Sequence, residues 1–231
     1  VAYRNIPVLP APVRSPAATG CLGRPPGPAR LPTAARASSR RATDGSSGIE
    51  RMSAPKNWQP WAIAVALCAA ALAAHGPAVS NDFVPFDDPE CVRAVPQVMG
   101  GLRVQNVLWA LTTLEYSNWF PVTRLSWIVD AELFGRDPAG FHATSIGLHA
   151  LNAMLFFAAL FRLTRELWPS AFVAAVFAVH PLHVESVAWI STRKDVLSAL
   201  FLALSLLIYE RQVRGDRPRA WSTALALVYA L

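Results

Sequence analysis

Between Trp58 and Val79 the chain carries no Asp, Glu, Lys or Arg. At the helical rise of about 1.5 Å per residue, such a block can cross a hydrocarbon core about 30 Å thick. A segment in lipid must satisfy its backbone polar groups internally, so an uninterrupted apolar block of this length folds as an α-helix. Trp58 and Trp61 stand at its start, where interfacial anchors gather. A signal peptide is the competing reading, with Lys56 as its basic region and the alanines before Asn81 as its small-residue end. Length and flanks favour a span. Further apolar blocks cover about 141–163, 170–190 (continuing past Pro181), 196–209 and 221–231, which predicts an all-α, multi-pass membrane bundle. Composition agrees: 53% of residues are hydrophobic and 16% charged, with mean hydropathy +0.31, where a soluble domain carries about a quarter charged residues.

The net charge of +6 raises nucleic acid as a partner. The basic residues form no stripe or face, however, and lie in the first fifty residues or between apolar blocks. Basic cytoplasmic loops explain them, and nucleic acid is set aside. Cys21, Cys68 and Cys91 show neither a disulfide framework nor a CxxC pair.

Residues 1–51 are rich in Pro, Ala, Arg, Ser and Gly and have no periodicity. They predict disorder, or leader-like sequence ahead of a start at Met52. From Met52 onward the chain reads as one membrane domain. Between Ser80 and Gly140 acidic residues outnumber basic ones, and apolar residues recur at helical spacing over 104–114 and 122–133. That pattern predicts amphipathic helices along the membrane surface. The positive-inside bias puts Lys56, Arg162, Arg165 and the 211–219 turn in the cytoplasm, with the acidic loop and 180–195 on the outer face. A bacterial inner membrane is the expected location in preference to the endoplasmic reticulum.

Several polar groups then fall at membrane edges. Asp87 and Asp88 are adjacent carboxylates directly after the first span. Like charges near a low-dielectric surface raise at least one pKa, which suits a general base. Asp-Asp-Pro also serves as a solvated turn or a helix cap. His180, His183 and Glu185 surround Pro181, which should kink or end the third span. They could hold a phosphate-bearing lipid, relay protons or bind a divalent metal, although the spacing is not that of HExxH. Histidines at helix ends also satisfy loose carbonyls. Arg193 and Lys194 add cations beside this cluster, a clamp for phosphate or simply interfacial groups. His142, His149 and Asn152 share a face of the second span, either in a wet cavity or in interhelical hydrogen bonds. Arg124 closes the loop Asn118-Trp-Phe-Pro-Val-Thr-Arg, which could stack a sugar and hold phosphate or anchor at the interface.

Taken together, Asn81-Asp-Phe-Val-Pro-Phe-Asp-Asp88, Asn118-Trp-Phe-Pro-Val-Thr-Arg-Leu-Ser126, His142 to His149-Ala-Leu-Asn152, His180-Pro-Leu-His-Val-Glu-Ser-Val-Ala-Trp189 and Arg193-Lys-Asp195 resemble the membrane half of the transmembrane and tetratricopeptide-repeat proteins. The animal members of that family are protein O-mannosyltransferases, and bacteria have many relatives. The resemblance covers about residues 60–231. It implies a GT-C glycosyltransferase fold with a long first outer loop, a polyprenyl-phosphate sugar donor and a protein acceptor. It further implies Asp87 or Asp88 as general base, and Arg193, Lys194, His180 and His183 near the leaving phosphate. Inversion by direct displacement fits that arrangement. The later spans and the repeats are absent from this chain, so it is expected to be an N-terminal fragment. Two other readings are a transporter whose histidines and Glu185 line a polar path, and a noncatalytic anchor for a repeat scaffold. The large outer loop favours the enzyme.

Overall fold

The computed structural model describes residues 56–114, 119–215 and 222–223. The expectations for 1–51, for Asn118, for Arg217 and Arg219 and for the span from 221 on, apart from residues 222–223, lie outside the described residues. Every regular element among the described residues is helical. α1 is Gln59–His75, with Pro60 in its first turn, and a 3₁₀ stretch, Gly76–Ser80, continues it. The segment between the first two spans holds a π-helical turn, Pro89–Arg93, and then α2, Pro96–Met99, α3, Val104–Thr112, and α4, Pro121–Phe134. α5, Pro138–Thr164, starts where the Asp137 carboxylate accepts from Ala139 N at 3.1 Å, with Pro138 at the first helical position. α6, Leu167–Val179, α7, His183–Ala188, a 3₁₀ turn, Ile190–Thr192, and α8, Arg193–Arg214, follow.

Among the described residues, three segments are long and apolar enough to cross a membrane: Gln59–Ser80, Pro138–Thr164 and Ile190–Arg214. α6 is apolar but holds only 13 residues, about 20 Å at helical rise. Its helix stops at Val179 because Pro181 has no N–H to give the preceding turn. The chain therefore does not continue as one helix from 170 to 190 but turns into the short α7.

Small side chains let the spans approach closely. Ala71 of α1, Ala150 and Ala153 of α5 and Ala178 of α6 form one buried cluster. A second cluster gathers Ala64, Leu67, Phe157, Leu167 and Ala174. The segment between the first two spans has its own core, in which Phe83, Val92, Val98, Ala110, Trp127 and Ile128 close around Phe141 and Ile190. The acidic loop is thus a packed cap of helices and not an open excursion. At the opposite end Arg214 donates to the Arg162 carbonyl at 3.0 Å, and buried Glu210 pairs with Arg214 at 3.1 Å and more loosely with Arg165 at 3.9 Å.

Candidate functional site

The two adjacent aspartates have different environments. Asp88 is fully buried. Its Oδ2 accepts from Val84 N at 2.8 Å, and its Oδ1 accepts from Ser191 N at 2.9 Å and from Ser191 Oγ. The carboxylate therefore ties the loop after α1 to the 3₁₀ turn before α8. Phe86 against Trp189, with ring centroids 6.2 Å apart, is a second tie between the same segments. Asp87 is only half-buried, and its carboxylate makes no hydrogen bond or ion pair with the described residues. Beside it, burial pushes the Cys91 thiol up, and the carboxylates of Asp87, Asp88 and Glu90 push further; Lys194 opposes them. Lys194 and Asp87 therefore act in opposite directions on the same thiol. The Lys194 ammonium is exposed and unpaired among the described residues.

Arg193, next in sequence, points the other way. It is fully buried and forms an ion pair with Asp130 of α4 at 2.5 Å. It also donates to the Phe141 carbonyl (2.7 Å), Ser145 Oγ (3.1 Å) and Ser126 Oγ (3.2 Å). Thr144 completes Asp130 with a bond of 2.8 Å. Arg124 is likewise buried. It donates to the Thr113 carbonyl at 2.8 Å with its guanidinium 4.4 Å from the Phe120 ring centroid. Both arginines bind inside the cap and present no open cation there.

The histidines explain themselves through the break at Pro181. Leu182 N turns back to His180 Nδ1 at 3.2 Å, so it does not bond the Ala178 carbonyl four residues earlier. His149 of α5 and His75 of α1 meet that carbonyl, with Nε2 at 3.2 and 3.3 Å. A carbonyl only accepts, so both nitrogens carry the proton. His183 packs on His149 and Phe177, at centroid separations of 5.5 and 4.7 Å, and His180 lies 6.2 Å from His183. Asn152 donates to the Val196 carbonyl at 2.8 Å. His142 is fully buried beside the Asp82 backbone, and neither ring nitrogen completes a hydrogen bond. Glu185 is exposed on α7, and its carboxylate is unpaired among the described residues. No three His, Cys, Asp or Glu side chains among the described residues are placed to hold a metal ion.

From Lys194 a groove of about 360 Å³ runs along α8, walled by Leu197, Phe201 and Leu202 and, from the start of α4, by Phe120 and Val122. Thr123, Ser198 and Ser205 add hydroxyls.

The chain is 30% identical to protein O-mannosyl-transferase Tmtc1 of Drosophila melanogaster over 158 residues, 63% of this chain and 18% of that protein. It is 31% identical to human protein O-mannosyl-transferase TMTC1 over 163 residues, 67% of this chain and 18% of that protein. The mouse protein O-mannosyl-transferase TMTC2 aligns at 30% identity over 153 residues, 62% of this chain and 18% of that protein. The chain belongs to the transmembrane and tetratricopeptide-repeat (TMTC-like) family. It spans less than a fifth of these relatives' length. No family model matches it, and no solved structure does.

At the capped end this TMTC-like chain presents, among the described residues, the half-buried Asp87 carboxylate and the Lys194 ammonium without partners, and an apolar groove leading away from Lys194. Three supporting residues escaped sequence reasoning. Ser191, the partner of Asp88, has no local signature. Asp130 was one acid among many in the loop. His75 did carry a signal, as the one basic side chain inside the first span.

Proposed function

We propose that this chain is the N-terminal membrane part of a GT-C glycosyltransferase. In this reading it moves a sugar, mannose by analogy with the relatives' names, from a polyprenyl-phosphate donor to a protein hydroxyl on the outer face. The observation that carries the proposal is the split between the two aspartates. Asp88 is consumed in holding the loop to the turn before α8, and this leaves the Asp87 carboxylate without a hydrogen-bond or ion-pair partner among the described residues. Asp87 takes the proton of the acceptor hydroxyl as its oxygen attacks the anomeric carbon. The bond from that carbon to the phosphate oxygen breaks, and its electron pair leaves with the polyprenyl phosphate. One displacement inverts the anomeric centre. Lys194 meets the leaving phosphate, and the groove along α8 takes the first part of the polyprenyl chain. Arg193, Arg124 and Asp88 act as positioning residues, since their polar atoms bind within the protein.

The test is Asp87→Asn in the full-length protein, assayed for sugar transfer. A positioned general base contributes about 10²- to 10⁴-fold, so kcat should fall by at least about 10²-fold with expression unchanged. Lys194→Gln should act chiefly on the KM for the lipid donor. Transfer at the wild-type rate by Asp87→Asn would remove the base from this scheme and with it the proposed site.

A further inference from the structure

A second groove lies in the cap, where α2 leads into α3. It has a volume of about 420 Å³, and Gln97, Arg103, Gln105, Asn106 and Trp109 line it. No Asp or Glu among the described residues does. Asn106 is only 7% exposed and is held in place: its Nδ2 donates to the Gly101 carbonyl at 2.8 Å. Its Oδ1 has no donor among the described residues. Gly100 makes room for this side chain, since a Cβ there would lie 2.9 Å from Asn106 Nδ2. A polar side chain buried this far is ordinarily satisfied at each atom, so the open acceptor on a groove asks for a ligand.

The rest of the lining is equally open. The carboxamides of Gln97 and Gln105, the Arg103 guanidinium and the Trp109 indole N–H have no hydrogen-bond or ion-pair partner among the described residues. Glu132 reaches this part of the cap, but its carboxylate accepts from Leu102 N at 3.0 Å and forms no ion pair with Arg103.

These groups prescribe the ligand. A carboxamide both donates and accepts, Asn106 Oδ1 accepts, and the guanidinium and the indole only donate. The partner must therefore carry donors and acceptors along its length. It must also bring negative charge, because the one ionised group in the lining is a cation. A hydrocarbon chain offers neither. An extended peptide backbone offers an N–H and a C=O at nearly every residue, and an acidic side chain adds the paired bonds that a guanidinium makes to a carboxylate. A neutral sugar has donors and acceptors but leaves Arg103 unanswered.

We propose that this groove binds an extended, acidic stretch of polypeptide, with a carboxylate on Arg103 and main chain along Gln97, Gln105 and Asn106. In the transfer reaction proposed above, that stretch belongs to the acceptor protein, and this assignment alone rests on that reading.

The test follows the fluorescence anisotropy of three labelled octapeptides, alternating Thr-Glu, Thr-Gln and Thr-Lys, with the full-length protein in detergent. The Thr-Glu peptide should bind most tightly. Arg103 is exposed and unpartnered among the described residues, so Arg103→Gln should fold normally. It should weaken the Thr-Glu peptide about two- to fivefold, as loss of an exposed ion pair does. Arg103→Glu should reverse the order and put Thr-Lys ahead of Thr-Glu. Gln97→Ala with Gln105→Ala should weaken all three peptides. A benzophenone on the Thr-Glu peptide should crosslink to the segment from Pro96 to Trp109. Equal binding of the three peptides by the wild type overturns the inference, as does an order that survives Arg103→Glu, or crosslinks confined to other segments. Displacement of the peptide by a mannose oligosaccharide would make this a glycan site and overturns it too. Asp87→Asn keeps the two readings apart, since this variant should bind the Thr-Glu peptide like wild type. Undiminished sugar transfer by that variant would remove the base at Asp87 and leave the peptide site standing.

Discussion

The Asp88 carboxylate accepts three hydrogen bonds from Val84 and Ser191 while the carboxylate of Asp87, one residue earlier, accepts none from the described residues, so substitutions at the two positions should separate. Asp88→Ala strands buried donors, and each unsatisfied group costs about 1–3 kcal/mol. Its thermal unfolding in detergent should drop well below wild type, and Ser191→Ala, which loses only the hydroxyl donor, should fall less. Asp87→Asn should leave the unfolding temperature close to wild type. Cys91 gives this neighbourhood a built-in reporter. Its pKa is raised, first by burial and then by Asp87, Asp88 and Glu90, so it holds less thiolate near neutral pH than an ordinary cysteine and should alkylate slowly. Removing a carboxylate lowers that pKa, and removing the opposing cation raises it. With Cys21 and Cys68 replaced, Asp87→Asn should speed iodoacetamide labelling and Lys194→Gln should slow it. No response to either change would place these groups elsewhere.

Between elements, the decisive joint is Arg193 against Asp130, which locks the first turn of α8 to α4 and to the start of α5. Removing one member of a buried ion pair costs about 3–5 kcal/mol because the other charge is left uncompensated. Arg193→Gln should therefore destabilise strongly, and adding Asp130→Asn should recover part of the loss. Arg193→Lys should not restore wild-type stability, since an ammonium cannot reach the separate acceptors of a planar fork. Local backbone geometry supports the same region. Gly101 has φ of +73°, and a Cβ there would meet the Glu132 carboxylate that accepts from Leu102 N. The element boundaries were legible where a residue acts on its own helix: Pro60, Pro121, Pro138 and Pro181 mark three starts and one stop. Pairings such as Arg193 with Asp130, 63 positions apart, leave no trace in any window of sequence.

At the scale of the whole molecule, Asp88 bonded to Ser191 and Arg214 bonded to Arg162 fix which ends of the bundle meet. Cysteines placed at Phe86 and Glu185 should react with a membrane-impermeant maleimide from the same side of a sealed vesicle, and one at Arg165 from the other. Labelling of 86 and 185 from opposite sides would contradict the fold. Hydropathy determined that these residues form membrane-length helices, because backbone groups in lipid have few ways to be satisfied and the apolar run alone decides among them. The same signal put Asp87, Lys194, His180 and His183 near expected membrane edges and His142 and His149 within a span, and the order of motifs pointed to the family. Tertiary structure decided which polar groups are spent on the fold and which stay available. Arg193 and Lys194 are neighbours in sequence and alike in charge. Helical geometry turns one into the protein and the other out of it, and only the packing of α4 and α5 around α8 determines which is which.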